Sequence, residues 1–560
     1  MIQSLPWTQV VNPLPAWPSA ALVAAIPVLV IFWALVLRRM KGWQASLLAL
    51  ASAWIIAVLV YRMPVSISLL TAANGALYGL FPICWILISA VFLFNLTVRS
   101  GRFEMLKHSL ARLTPDRRLQ ALLIAFSFGA FLEGTAGFGA PVAITAAMLT
   151  GLGFEPLYAA GICLVANTAP VAFGSIGIPI SVMSQVTGLP EMQVSQMVGR
   201  TLPFVSLILP GYLVCMVAGW KHTRAIWPAL LVSGGSFALI QALTANLLGP
   251  SLPDILAGIG SICSLIICLR YWQPGQVWRF DGEIKETVTT ADYPLKRILQ
   301  SLLPFGLLTC IVIVWGIPSV KQWLDTHFMT SFLFPGLENA IHSQSGKVVT
   351  HLFKLNYASA AGTAIFITAV LSLPMLGMRW QDAWRVFVQT LRQLVFPVVT
   401  IMAVLAFAYV VNDSGMSLTL AEAFARTGWL FPFFAPLLGW LGVFITGSDT
   451  SANALFGKIQ TVTANAIGVS PLVTAGANIS GGVVGKMISP QSIAVAAAAG
   501  GLVGREASLF RFTVKHSIIL LMVICLIVFL QAYVFPWLVP AENFLVKMAG
   551  SGYLPFMAYV

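Results

Sequence analysis

Charge is what this chain has least of. Only 9% of its 560 residues are Asp, Glu, Lys or Arg, and acidic side chains number 18 against 31 basic ones. Soluble domains carry about a quarter charged residues, so an ordinary soluble enzyme or binding module is excluded. Cysteine is scarce as well. The seven Cys residues (84, 163, 215, 263, 268, 310, 525) lie in apolar stretches, with no C-x-x-C pair and no ligand-like His beside them. They read as small buried hydrophobes rather than disulfides or metal ligands. Hydrolase and metalloprotease signatures of the G-x-S-x-G and H-E-x-x-H type are missing, which weakens a membrane-enzyme reading. The stretch Gly481 to Met487 fails as a phosphate loop, because Ser480 stands at the first Gly position and Met487 at the Ser/Thr position. The amino terminus lacks a basic n-region and leads through Trp and Pro into a full-length apolar run, so no cleaved signal peptide is expected.

Apolar residues fill the space: 58% of the chain is hydrophobic and the mean hydropathy is +0.89. Runs near bilayer-crossing length, roughly 17 to 25 residues, occur at 19–37, 43–61, 199–219, 227–247, 253–271, 298–316, 361–378, 393–411, 429–446 and 516–538. Residues 65–98 exceed one span and hold either one long tilted helix or a short helix joined to a full one. The expected fold is an all-α polytopic membrane protein with about 12–14 transmembrane helices or half-helices.

One passage occurs twice. Gly153-x-x-Pro156-Leu157-x-x-Ala160-Gly161 recurs as Gly468-x-x-Pro471-Leu472-x-x-Ala475-Gly476. Downstream, Ala166-Asn167, Gly174 and Pro179 match Ala477-Asn478, Gly485 and Pro490, and the first copy carries four extra residues in between. Upstream, Phe131-Leu-Glu-Gly134-Thr135 answers Phe444-Ile-Thr-Gly447-Ser448. Two Gly/Pro-interrupted apolar units mark a secondary transporter whose breaks are broken helices or re-entrant hairpins.

Basic residues cluster in short loops: Arg38, Arg39 and Lys41; Arg99 to Arg118; Lys221 and Arg224; Lys296 and Arg297; Arg379, Arg385 and Arg392; Arg505, Arg511 and Lys515. The positive-inside rule puts these in the cytoplasm and accounts for the net charge of +13 without nucleic acid. Threading through them places both termini and the loop 317–360 outside, and makes the two repeats inverted in topology; Arg426, on the outer side, is a mild objection. The implied division is 1–118 for N-terminal helices, 119–220 for the first repeat core, and 221–392 for connecting helices with a cytoplasmic loop 272–297 and the outer loop 317–360. The second repeat core is 393–504, and 505–560 is a last helix and tail.

The chemistry belongs where polar atoms sit at membrane depth. Glu133 and Asp449 lie at matching places in the repeats, inside apolar runs. An acidic group at a helix centre costs on the order of 2.5–3.5 kcal/mol on insertion scales, and burial favours its neutral form, which suits proton coupling. Each can equally be a structural acceptor, capping a half-helix or pairing with Lys or Arg. Asp413 and Glu422 are weaker candidates, expected in a water-exposed connection. Substrate-binding candidates at the breaks are Thr135, Asn167, Ser448, Thr450, Asn453 and Asn478. Broken helices also turn free N–H groups toward an anion. For a carboxylate, Lys486 is favoured over Arg200, which can snorkel at an interface; Lys458 can likewise reach an interface. Small residues such as Gly134 and Gly139 can also serve tight helix crossings alone.

These residues carry a resemblance. Phe131-Leu-Glu-Gly-Thr-Ala-Gly-Phe-Gly-Ala-Pro-Val-Ala-Ile-Thr, Ala166-Asn-Thr-Ala-Pro-Val-Ala-Phe-Gly, Gly442-Val-Phe-Ile-Thr-Gly-Ser-Asp-Thr-Ser-Ala-Asn-Ala-Leu-Phe-Gly and Gly485-Lys-Met-Ile-Ser-Pro-Gln-Ser-Ile-Ala resemble the bacterial lactate permeases, as do Leu252-Pro-Asp-Ile and Val514-Lys-His-Ser. The resemblance runs from about 20 to 535 and implies proton symport of L-lactate, D-lactate and glycolate across the bacterial inner membrane. It implies no cofactor beyond the coupling proton, and no partner beyond the small monocarboxylate and the lipid bilayer. A sodium-coupled carboxylate transporter and a passive anion channel are the alternatives.

Overall fold

The computed structural model describes residues 6–38, 40–137, 139–280, 295–344 and 346–540. Among the described residues, nine helices are long and apolar enough to cross a membrane, or eleven if two bent pairs each count as one span. Four N-terminal helices come first: α1 (Trp17–Phe32), α2 (Gly42–Leu59), α3 (Val65–Tyr78) and α4 (Trp85–Arg99). Between α3 and α4 the long apolar run breaks at Phe81, which is extended (φ −137°, ψ 126°) because the ring of Pro82 disfavours a helical residue before it.

The first repeat comprises α5 (Gly129–Thr135), α6 (Ala140–Gly151), α7 (Pro156–Ala166) and α8 (Gly174–Thr187). α9 (Glu191–Val198), α10 (Leu202–Arg224), α11 (Trp227–Leu247) and α12 (Pro253–Tyr271) follow, then the helices Leu295–Gly316 and Ala361–Leu371 and the 35-residue α13 (Trp380–Ser414). The second repeat comprises α14 (Phe431–Thr446), α15 (Asp449–Ala466), α16 (Pro471–Lys486) and α17 (Pro490–Ala499), and α18 (Glu506–Tyr533) ends the helical part. Each repeat is thus four helices with Pro at the start of the third, where its missing N–H costs nothing.

The repeats exchange contacts reciprocally. α8 packs on α15 while its counterpart α17 packs on α6, and α9 packs on α16 while α18 packs on α7. A two-fold relation between the repeats produces this pairing. α15 and α16 of the second repeat are buried along most of their length, whereas Leu22 and Leu29 on α1, Leu59 on α2, Leu247 on α11 and Ile518 on α18 are exposed as in a lipid-facing shell. Two cysteines belong to that shell: Cys263 and Cys310 are exposed rather than buried, and all seven are free thiols.

The segment 317–360, expected to be a loop, carries three short strands. β2 (Thr330–Leu333) pairs antiparallel with β4 (Leu352–Leu355), and β1 (Trp7–Thr8) pairs in parallel with β3 (Ile341–His342). This ribbon and the N-terminal segment cover the end of α13, where Gln9 Nε2 donates to the Asp413 carbonyl at 2.9 Å. Asp413 is therefore buried, contrary to its expected place in a water-exposed connection; Glu422 is exposed as expected and accepts from Asn12 Nδ2.

Candidate functional site

Each repeat breaks between its first two helices and again before its fourth. Gly447 ends α14 at φ +70°, a left-handed turn that a residue without a Cβ makes without strain. Ser448 then caps α15 by accepting from Ser451 N at 3.3 Å, and Ser489 caps α17 by accepting from Ser492 N at 3.2 Å. Gly139 precedes α6, and a left-handed turn at Ser175, Ile176 and Gly177 leads into the right-handed part of α8 at Ile178, which also lines the cleft. These four helix starts, two from each repeat, meet at one cleft of about 70 Å³ whose wall includes Gly139, Ser175, Ser448, Thr450, Gln491 and Ser492. Every helix start presents unpaired N–H groups and about half a positive charge, so the cleft is arranged for an anion.

The charged groups complete it. Lys486, the last residue of α16, places Nζ 2.6 Å from Glu133 Oε1 on α5, and the pair joins the two repeats across the cleft. Glu133 is 2% exposed and rests on Gly174, where a Cβ would stand 2.8 Å from Oε1. Asp449, 3% exposed, opens α15 and lies over Gly482, where a Cβ would overlap its carboxylate. Glu133 Oε2 and both Asp449 oxygens have no hydrogen-bond partner among the described residues. A buried carboxylate oxygen left without a donor costs on the order of 1–3 kcal/mol, so these acceptors are shaped for a proton or a ligand.

The two carboxylates do not occupy equivalent positions. With Gly134 matched to Gly447, Glu133 corresponds to Thr446 and Asp449 to Ala136, so one precedes its break and the other follows it. Four further expected residues serve the scaffold. Thr135 donates back to Phe131 O at 3.0 Å within its own helix. Asn453 Nδ2 donates to Pro179 O at 3.0 Å and its Oδ1 accepts from Asn478 Nδ2 at 2.9 Å, while Asn478 Oδ1 accepts from Gln460 Nε2 at 3.1 Å. Arg200 is committed away from the cleft, donating to Asn246 Oδ1 at 2.8 Å and to Leu538 O at 3.0 Å. Asn167 ends α7 and does not line the cleft.

Sequence reasoning did not select Ser175, Gln491, Ser492 or Asp254. Gln491 and Ser492 directly follow the landmark Pro490, so the repeat itself could have flagged them. Asp254 lies outside both repeats and had no such signal. It is buried at the start of α12, accepts from Gln241 Nε2 at 3.3 Å, and packs against Gly134, where a Cβ would stand 2.9 Å from its own; Oδ2 has no partner. It sits behind Glu133 rather than on the cleft wall.

The family model described as L-lactate permease matches residues 20–535. The chain belongs to the L-lactate permease family. It is 52% identical over 561 residues to the L-lactate permease of Bacillus subtilis (strain 168), covering 95% of this chain and 100% of that protein. It is 48% identical over 551 residues to the glycolate permease GlcA of Escherichia coli (strain K12), covering 94% and 98%, and 46% identical over 549 residues to the L-lactate permease of the same strain, covering 95% and 100%. Family membership and the apolar helices together make it a multi-pass membrane protein.

Proposed function

We propose that this protein imports small 2-hydroxymonocarboxylates, L-lactate, D-lactate and glycolate, across the bacterial inner membrane by proton symport. The observation that carries the reading is the Glu133–Lys486 pair at the meeting point of four helix starts. A substrate carboxylate needs Lys486, and Glu133 already holds it. Substrate and ionised Glu133 therefore compete, and protonating Glu133 frees the ammonium for the substrate. Before loading, Lys486 with two carboxylates sums to one negative charge. After loading, neutral Glu133, Lys486, Asp449 and the substrate anion sum to the same value. One proton with one anion leaves the cleft electrostatically unchanged, whereas either alone shifts it by a full charge in a low dielectric. Asp449, whose oxygens have no hydrogen-bond donor among the described residues, is the acceptor assigned in this reading to the substrate's 2-hydroxyl group. The relatives' names, L-lactate permease and glycolate permease, support the substrate class.

The test is uptake of radiolabelled L-lactate into proteoliposomes. An inward proton gradient should drive accumulation that a protonophore abolishes, and Glu133→Gln should lose accumulation while still exchanging lactate. One proton per monocarboxylate carries no net charge. Strong uptake driven by membrane potential alone, worth about 2.3 kcal/mol per charge per 100 mV, would overturn the one-proton form.

A further inference from the structure

A second cluster of buried titratable groups lies away from the cleft. His351, immediately before β4, reaches from the ribbon to the end of α13 and sets Nε2 3.3 Å from Asp413 Oδ2. Its other ring nitrogen, Nδ1, is 3.3 Å from Asn74 Nδ2 on α3. All three residues are less than a tenth exposed. The ribbon is held there by its own bonds, since Phe334 N donates to His351 O at 2.8 Å and Tyr78 OH donates to Leu352 O at 2.5 Å.

Four polar atoms in this cluster have no hydrogen-bond partner among the described residues: Thr71 Oγ1, Asn74 Oδ1, His351 Nε2 and Asp413 Oδ2. Asn74 is the informative one. Its Nδ2 faces the unprotonated Nδ1 of a neutral imidazole, as a donor should. A protonated ring needs an acceptor at the same place, and turning the amide over supplies the idle Oδ1, because an Asn side chain offers a donor and an acceptor on one nearly symmetric group. Nε2 meanwhile stays within ion-pair distance, 3.3 Å, of the Asp413 carboxylate. The surroundings thus accept either protonation state of His351 without a buried polar atom being forced against its like.

We propose that His351 and Asp413 form a second proton-binding site, under the ribbon on the face assigned to the outside by the basic loops, that sets how transport responds to outer pH. The other ionisable or polar groups facing the pair are Lys458 from α15, Tyr409 from α13, and Asn74 and Thr71 from α3. Tyr409 OH accepts from Gln185 Nε2 of α8 at 2.8 Å. α8 and α15 both begin at the cleft, so the second site rests on the same two helices that form the substrate wall. The inference rests on the transport reading for its assay, but on separate residues.

The experiment is lactate exchange by the full-length protein in proteoliposomes with equal pH on both sides, varied across the range in which a histidine titrates, about pH 5 to 8. The wild type should show a step in rate of at least about threefold in that range, and His351→Gln and Asp413→Asn should each flatten it. Glutamine keeps hydrogen-bonding ends toward both neighbours but cannot bind a proton, so a merely stapling histidine would be replaced with its pH profile intact. Profiles that match the wild type in both variants overturn the proposal, as does a uniform loss of rate at every pH with the step retained. A wild type that fails to accumulate lactate under a proton gradient would instead overturn the symport reading, whatever the two variants do to the exchange profile.

Discussion

The two repeats are copies in sequence and unequal in chemistry, and the inequality has a local cause. In the first, α7 stops at Ala166; in the second, α16 continues to Lys486. Among the residues that differ there, the helix breaker is Pro170, whose counterpart is Gly481. Proline disfavours a helical residue before it and removes a donor, so the first copy breaks early. Its Asn167 becomes a helix end, whereas the equivalent Asn478 sits mid-helix and hydrogen-bonds to Asn453. The position matching Lys486 is Ser175, which opens α8 in a left-handed turn (φ 46°) together with Ile176 and Gly177. The second repeat therefore delivers the cation on a continuous helix, and the first delivers the carboxylate that pairs with it.

The sharpest test of that asymmetry is Lys486→Met against Ser175→Ala. Removing the ammonium leaves Glu133 buried and unpaired, which costs about 3–5 kcal/mol. Lactate uptake should fall by at least about a hundredfold, while Ser175→Ala should change it by less than about threefold. Comparable losses in the two would mean that the repeats contribute alike.

Asp449→Asn probes the second carboxylate. If Asp449 accepts the substrate hydroxyl, the variant should weaken lactate binding by roughly 10- to 150-fold, the worth of a hydrogen bond to a charged group. Propionate, which lacks the hydroxyl, should bind the variant and the wild type alike in competition assays. Equal weakening of both ligands would assign Asp449 to the scaffold.

The paired asparagines should separate in stability rather than in transport. Asn478→Ala strands Asn453 Oδ1 in the interior and leaves Gln460 Nε2 with Ala435 O as its remaining acceptor, and should cost about 1–3 kcal/mol, read as a lower midpoint of thermal unfolding in detergent. Asn167→Ala should cost clearly less.

The smallest contrast is between equivalent glycines. A Cβ at Gly442 would stand 2.7 Å from that of Ala452, whereas at Gly129 the nearest atom is 3.6 Å away. Gly442→Ala should lose about 1–3 kcal/mol to overpacking, and Gly129→Ala should gain up to about 1 kcal/mol from restricting the unfolded chain. A gain at both positions would show that the second repeat is packed more loosely than its copy.

Much of the candidate cleft was readable along the chain. Glu133, Ser448, Asp449, Thr450 and Lys486 line one cleft, and each stood out as a polar residue at a Gly or Pro break within an apolar run. Thr135, Asn453 and Asn478 stood out by the same criterion and serve packing instead, because a break needs internal hydrogen bonds as much as it needs ligand contacts. Asp254 and His351 did not stand out as site residues, for a different reason. Each gains its meaning from a partner far away in the chain, Gly134 for one and Asp413 for the other.

Sequence alone determined the membrane class, the doubled unit and the places where its helices stop, since these follow from hydropathy, Gly and Pro acting over a few residues. Only the tertiary structure decided which ends meet. It brought Lys486 to Glu133 across 353 positions and buried Asp413 beneath a ribbon that reads as a loop. A charge pair between distant elements leaves no period or spacing in the chain. It exists because the reciprocal packing of two unequal repeats fills one cleft from both sides.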